Sequence, residues 1–362
     1  MSTRPTREKS ADAGRIVPQC DYWITLDGRD ISRSIAPYLI YLTLSESRAD
    51  EADRLDLVLD DTRGDLAIPK RGVTIKLMLG WVGQPLVDKG SFTVDEVEFH
   101  GAPDQITISA RSASMTGAMH ERRDKSWHAQ TISAIVKAVA VRHKMTPVVG
   151  EALGKIKIDH IDQTGESDLS FLTRLAKRYD AVMTVKDGRL LFLPIGAGAT
   201  ASGKPLPTIQ IRRSSGDSYR YHVSQRESYS SVRARWHSSK KGRTQSVTVG
   251  GDNGSSVKLL PETYATQAEA TAAAKAEYTR TQRGQATFDI SLALGRADVY
   301  PEMPAIAKGF KPDIDETPWL VKRVTSRLDG NGGFTTSLEM EMRDDPTTSR
   351  HRTHFRKGGK SQ

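Results

Sequence analysis

The sequence predicts an α+β, β-rich chain, on three observations. One β pattern is written twice, roughly 225 residues apart; two amphipathic helical stripes lie between the copies; and an Asp-Gly hairpin signal closes that helical stretch. The first copy reads Phe92-Thr-Val-Asp-Glu-Val97, a polar break, then Ile106-Thr-Ile-Ser-Ala110. The second reads Trp319-Leu-Val-Lys-Arg-Val324, Asp329-Gly-Asn-Gly-Gly333, then Thr335-Thr-Ser-Leu-Glu-Met340. Each is an aromatic-led strand, a turn and a second alternating strand, the pattern of a hairpin that buries one face. If each copy belongs to one building block, a trimer of this chain presents six of them.

Residues 1–20 and 345–362 are expected to be flexible ends, the latter basic and without hydrophobic period. From 21 to 119 the text is β. Tyr22–Leu26, Leu39–Leu44, Leu55–Leu59 and Val73–Leu79 are short apolar runs punctuated by Gly, Pro and Asp, and the Phe92 hairpin completes a barrel or sandwich module. The block 120–195 changes character. Thr131–His143 places Ile132, Ile135, Val136 and Val139 on one helical face, with Pro147 beyond its end. A second helix over 167–179 buries Leu169, Leu172, Leu175, Ala176 and Tyr179, with Ser167 or Asp168 as N-cap. Ala181–Val185 and Leu190–Leu193 then flank Lys186-Asp-Gly-Arg189, a turn in which Gly tolerates the positive φ required.

The last module is predicted over 196–344. A Gly/Ala/Ser connector, 196–205, leads to strands at Thr208–Arg212, Ser231–Trp236 and Gln245–Val249. A helix near 266–283 follows, where Thr266 and Glu269 have capping-box spacing. Phe288–Leu294 and the Trp319 hairpin return the chain to β.

Composition narrows the function classes. Of 362 residues, 37% are hydrophobic, and no run approaches the ~20 apolar residues that span a bilayer. The polar N-terminus lacks the core of a secretory signal. The single cysteine, Cys20, allows no intrachain disulfide and has no sequence-evident base partner, so a structural role in a reducing compartment is expected. The net charge of +9 is concentrated: Lys204–Arg243 holds ten Lys/Arg against Asp217 and Glu227, interleaved with Tyr219, Tyr221, Tyr229 and Trp236. Such a segment fits a nucleic-acid track or an acidic protein partner. The protein partner is favoured because no nucleic-acid motif accompanies it. Arg212, Arg213, Arg233, Arg235 and Trp236 are its candidate contacts.

Signals for catalysis and cofactors are weak. Gly198-Ala-Thr-Ala-Ser-Gly203-Lys204 begins like a phosphate loop, but Pro205 stands where a Ser or Thr must open a helix. The nine histidines show no metal-ligand spacing, and no Gly-x-Ser-x-Gly elbow is present. The expectation is a non-enzymatic protein without catalytic residues, metal or cofactor.

Longer stretches carry a resemblance. They are Asp30-Ile-Ser with Ile35-Ala-Pro37, Ser126-Trp-His-Ala-Gln-Thr-Ile132, and His160-Ile-Asp-Gln-Thr-Gly-Glu-Ser-Asp-Leu-Ser-Phe-Leu-Thr-Arg-Leu-Ala176. Gly284-Gln-Ala-Thr-Phe-Asp-Ile-Ser-Leu-Ala-Leu-Gly295, Trp319–Val324 and Gly333–Glu339 complete the set, which spans roughly 20–345. In these the chain resembles the phage late control gene D proteins, baseplate hubs of contractile tails related to the N-terminal hub part of type VI secretion spike proteins. The Asp-Gln-Thr-x-Glu-Ser-Asp helix start is the most specific piece. The resemblance implies two tube-like β-barrel domains with an intervening small helix-hairpin domain. It also implies a homotrimer whose pseudo-sixfold ring joins a hexameric tail tube to a trimeric spike. The partners it implies are the trimeric tail spike protein, the tail tube protein and baseplate wedge proteins. The expected location is the virion tail baseplate, or a phage-tail-like particle, assembled in the host cytoplasm. Some relatives carry an appended hydrolase; none is expected here, since the text ends near 345 in a basic tail. A nucleic-acid-binding module using 204–243 and a tail-associated cell-wall hydrolase are the alternatives, with DNA binding disfavoured.

Overall fold

The structure is a computed structural model that describes residues 18–48, 52–112, 117–186, 188–198, 204–224, 229–238, 242–251, 256–331 and 333–343. The expected flexible N-terminal segment and basic tail fall almost wholly outside these residues, as does most of the phosphate-loop-like stretch.

The chain begins with β1 (Cys20–Leu26), β2 (Arg29–Asp30), α1 (Ser32–Ile35), β3 (Leu39–Ser47), β4 (Arg54–Asp60), β5 (Thr74–Trp81), β6 (Val87–His100) and β7 (Gln105–Ser112). There follow β8 (Arg122–Thr131), α2 (Ile132–Arg142), β9 (Thr146–Val149), α3 (Glu151–Gly154), β10 (Lys157–Ser167), α4 (Asp168–Arg178), β11 (Ala181–Lys186) and β12 (Arg189–Pro194). Next come β13 (Ile209–Arg212), β14 (Gly216–Val223), β15 (Ser231–Ser238), β16 (Arg243–Gly250), β17 (Val257–Tyr264) and α5 (Gln267–Arg283). The last elements are β18 (Ala286–Leu292), β19 (Pro304–Lys308), α6 (Pro312–Asp315), β20 (Trp319–Asp329) and β21 (Phe334–Met342).

Both aromatic-led hairpins form. Phe92 lies in β6, which pairs antiparallel with β7, and Trp319 opens β20, which pairs with β21. The two sets of strands are joined: β20 also pairs with β3, Arg323–Asp329 against Ser47–Tyr41. The result, among the described residues, is a thirteen-stranded sheet. Its main path runs β14-β18-β21-β20-β3-β4-β7-β6-β5-β1-β2, with β19 attached to β20 and β13 to β19.

Two cores lie along it. One gathers Ile24, Leu42, Leu57, Leu77, Phe92 and Ile106, and takes in Phe334 and Leu328 from the far hairpin. The other gathers Phe288, Ile290, Trp319, Val324 and Met340. Trp319 is fully buried, and its Nε1–H donates to the Ile314 carbonyl at 2.9 Å. That bond removes the penalty of an unpaired indole in the core. Trp81 bridges the two halves by packing on Phe334 and donating to the Gly295 carbonyl at 3.0 Å.

The two sequence-predicted helices form α2 and α4. Thr131 Oγ1 accepts from the Ala134 N–H and Ser167 Oγ from the Ser170 N–H, so both starts are capped. Ile132, Ile135, Val136 and Val139 are buried as expected. On α4 the stripe also includes Phe171, fully buried, whereas Leu169 is only half-buried. The Asp-Gly hairpin pairs β11 with β12, and β9 adds in parallel to β12. The helices and this hairpin share their core with a two-stranded ribbon, β8 and β10, that was not anticipated. Its strands are mostly polar and exposed, with few apolar residues facing inward, so they carry little hydrophobic alternation.

The fourth core belongs to the sheet β16-β15-β17 and to α5. Ala270, Ala273 and Ala274 pack beside Val232 and Ala234, where small side chains let the helix lie close. Thr266 Oγ1 caps α5 by accepting from the Glu269 N–H.

Candidate partner interface

Four of the five candidate residues lie on strands of two sheets, and Arg213 begins the 3-10 turn that follows β13. Arg212 ends β13 opposite Lys308 of β19, in parallel register. Arg212, Arg213, Ser214, Lys308 and Gly309 line a shallow groove of about 480 Å³. Arg213 stacks over the Tyr219 ring at 4.6 Å, and Tyr219 meets Phe310 edge-on at 5.2 Å. This stack holds the exposed Arg213 guanidinium in place by cation–π attraction. Asp315 holds the groove's Gly309 end in shape, its carboxylate accepting from the Gly309 and Phe310 N–H groups at 2.9 and 3.1 Å.

Arg233, Arg235 and Trp236 lie on β15, in the small sheet. Alternation sends Val232, Ala234 and Trp236 toward α5 and turns Arg233 and Arg235 to the opposite face. Arg233 Nε donates to Thr248 Oγ1 at 3.3 Å and Arg235 Nη2 to the Pro261 carbonyl at 3.2 Å. Both acceptors are neutral, so the two charges are oriented but not cancelled. Trp236 is a packing residue, half-buried against α5's sheet core. The basic segment Lys204–Arg243 is therefore divided between two sheets: β14 belongs to the large sheet and β15 to the small one. Arg226, Lys240 and Lys241 lie outside the described residues.

Sequence reasoning missed a buried charged junction where six segments of the chain meet. Arg48, after β3, contacts Glu302 and Glu341. Arg283, at the end of α5, makes a fork to Asp180 with both bonds at 2.6 Å and reaches Glu341 at 3.0 Å. Glu302 also accepts from the Gly196 N–H at 2.7 Å. Arg48 Nε and Glu302 Oε1 are in ion contact without hydrogen-bond alignment. Burial pushes the Glu302 carboxyl above its usual range, and the Arg48 charge only partly opposes this.

Nearby, Lys89 of β6 is fully buried, 2.7 Å from Glu46 Oε2, with its ammonium 4.0 Å from the Tyr300 ring. Burial drives Glu46 upward and Lys89 downward, each shift moderated by the other's charge. The partners are 43 to 293 residues apart in sequence, so no local pattern announces them.

In the helix-start motif, by contrast, Gln163, Glu166, Ser167 and Asp168 each have a short-range partner. Gln163 Nε2 donates to the Glu166 carbonyl and to Asp168 Oδ1, Glu166 pairs with Arg174, and Ser167 caps α4. Asp168, fully buried, receives Arg142 and His143, each at 2.7 Å. Burial alone would raise its pKa, but hydrogen bonds from Gln163, Arg142 and His143 outweigh that and hold it below the ordinary range. Among the described residues no three His, Cys, Asp or Glu side chains are grouped to hold a metal, and no helix is long and apolar enough to cross a membrane.

Residues 36–332 match the family described as "Phage tail baseplate hub (GPD)". The chain is 42% identical to a probable baseplate hub protein of Escherichia phage 186 over 89% of its length and 92% of that protein's. It is 43% identical to a probable baseplate hub protein of Escherichia phage P2, covering 92% of this chain and 95% of the relative.

Solved structures with the same fold include the 43 kDa tail protein of prophage MuSo2 from Shewanella oneidensis (TM-score 0.65, 15% identity, 88% of this chain and 97% of that one). A tail protein from Neisseria meningitidis gives a TM-score of 0.64 at 16% identity, over 88% of this chain and 96% of that one. An Escherichia coli component of the type VI secretion system gives 0.52 at 13% identity, over 85% and 74%. With its family pattern matched over most of its length and two relatives above 40% identity, the chain belongs to the phage tail baseplate hub (GPD) family.

Proposed function

We propose that this chain is the structural hub of a contractile phage-tail or tail-like baseplate. In this reading it forms a homotrimeric, pseudo-sixfold ring that joins a hexameric tail tube to a trimeric spike and meets the wedge proteins around it. The observation that carries the reading is the hub-family match over residues 36–332. Each chain would supply two tube-like domains, 21–119 and 196–344, flanking the small α+β domain 120–195. It would be assembled in the host cytoplasm and reside in the virion baseplate.

The sheet gives this a physical basis. Its main path ends in β14 on one side and in β1–β2 on the other. Edge strands left open invite pairing with another chain, and a head-to-tail contact between unlike edges closes into a ring when the rotation fits. The nucleic-acid alternative draws less support, because its basic and aromatic residues are divided between two sheets.

Native mass spectrometry tests the proposal. The expected species is about three times the 39.9 kDa chain mass, binding a trimeric spike protein when mixed with it. A purely monomeric protein that ignores the spike would overturn it. DNA binding that falls steeply with salt would favour the alternative.

A further inference from the structure

The outward face of β15 and its neighbours is built to receive charge. Arg233 and Arg235 stand two residues apart on one strand, roughly 7 Å along it. Beside them on β17, Val257 and Leu259 are 39% and 52% exposed, and Leu259 is the register partner of Arg233. No ion pair among the described residues engages either arginine, although Arg54, Arg111 and Arg174 all have carboxylate partners. Arginine beside uncovered aliphatic surface, held in place by neutral acceptors, is the composition of a protein–protein contact rather than of a solvated face.

The same chain carries the complement. Past the bulge at Asp95, β6 turns Val97 toward the core side and presents Glu96 and Glu98 outward, opposite Ser109 and Thr107 of β7. These carboxylates repeat the two-residue spacing of the arginines. Their acidic neighbours are already used, Asp95 by Arg111 and Asp56 by Arg54. Glu96 and Glu98 are exposed and in no ion pair among the described residues.

Given the trimeric reading above, on which this rests, we infer that the Arg233/Arg235 face of one copy docks on the Glu96/Glu98 strand of the next. The contact is heterologous and uses unlike surfaces, as a closed cyclic trimer requires. Its charges fix orientation and exclude the like-charged pairing of two basic faces.

A charge-swap series tests it by native mass spectrometry at fixed concentration, with circular dichroism confirming that each variant folds. Arg233→Glu with Arg235→Glu is expected to lower the trimer fraction about tenfold, and Glu96→Arg with Glu98→Arg to do the same. The chain carrying all four changes is expected to recover the trimer. A trimer that survives either double reversal, or a fourfold variant that does not recover, would overturn the docking while leaving the trimer intact. A wild-type chain that never forms trimers would overturn the parent reading, and the docking with it.

Discussion

Lys89 shows at single-residue scale why the junctions are polar. A lysine and a glutamate taken fully out of water, as Lys89 and Glu46 are, gain little net stability from pairing. Removing one partner is far worse than removing both. Lys89→Met is expected to cost roughly 3–5 kcal/mol in urea unfolding, because Glu46 is left buried alone. Adding Glu46→Leu is expected to return most of that loss; a double variant as unstable as the single one would contradict the account.

Acid titration separates two kinds of carboxyl. Asp168 is held below its ordinary value, so it contributes stability above about pH 3.8 that is lost as pH falls through its folded value. Glu302 is raised by burial, so the folded state binds its proton more tightly. Its contribution therefore grows as pH falls through its folded value and is complete below the ordinary 4.5. Stability measured against pH should lose its acid-side decline in Asp168→Asn and its mild-acid gain in Glu302→Gln. An unchanged profile in either variant would refute the assignment for that residue.

Among the elements, α4 and its lead-in strand β10 form a closely bonded local unit. Ser167 caps the helix, Gln163 ties strand to helix, and Asp168 gathers Arg142 and His143 from the end of α2. Ser167→Ala is expected to cost about 1 kcal/mol, read as a lower thermal midpoint with unchanged secondary structure. Caps, the helical stripes and both hairpins were legible because they depend on neighbours within a few residues. The ribbon β8–β10 and the edge strand β14 were not, since polar strands with exposed faces leave no alternation to read. What makes β14 a strand is its ladder with β18, some seventy residues on.

The whole molecule is held in one arrangement by two devices of different character. One is the β3–β20 ladder, which continues a single sheet through both cores. The other is the junction of Arg48, Arg283, Asp180, Glu302 and Glu341. Buried charges of this kind add little net stability, but removing one partner is strongly destabilising. Arg283→Met is expected to speed amide hydrogen exchange in α5 and in β11–β12 while leaving β18, β20 and β21 protected. Uniform exchange throughout would show that the junction does not hold these parts together.

The sequence alone determined that the chain is β-rich with a helical block, where its capped helices begin, that its two aromatic-led hairpins form, and which family its motifs resemble. Those features follow from periodicity, turn chemistry and side-chain bonds to nearby backbone. Tertiary structure alone decided that both hairpins share one sheet, that the basic segment is divided between two sheets, and that carboxylates and arginines hundreds of residues apart meet out of water. Such pairings depend on burial, and burial is set by the packed molecule rather than by any stretch of its text.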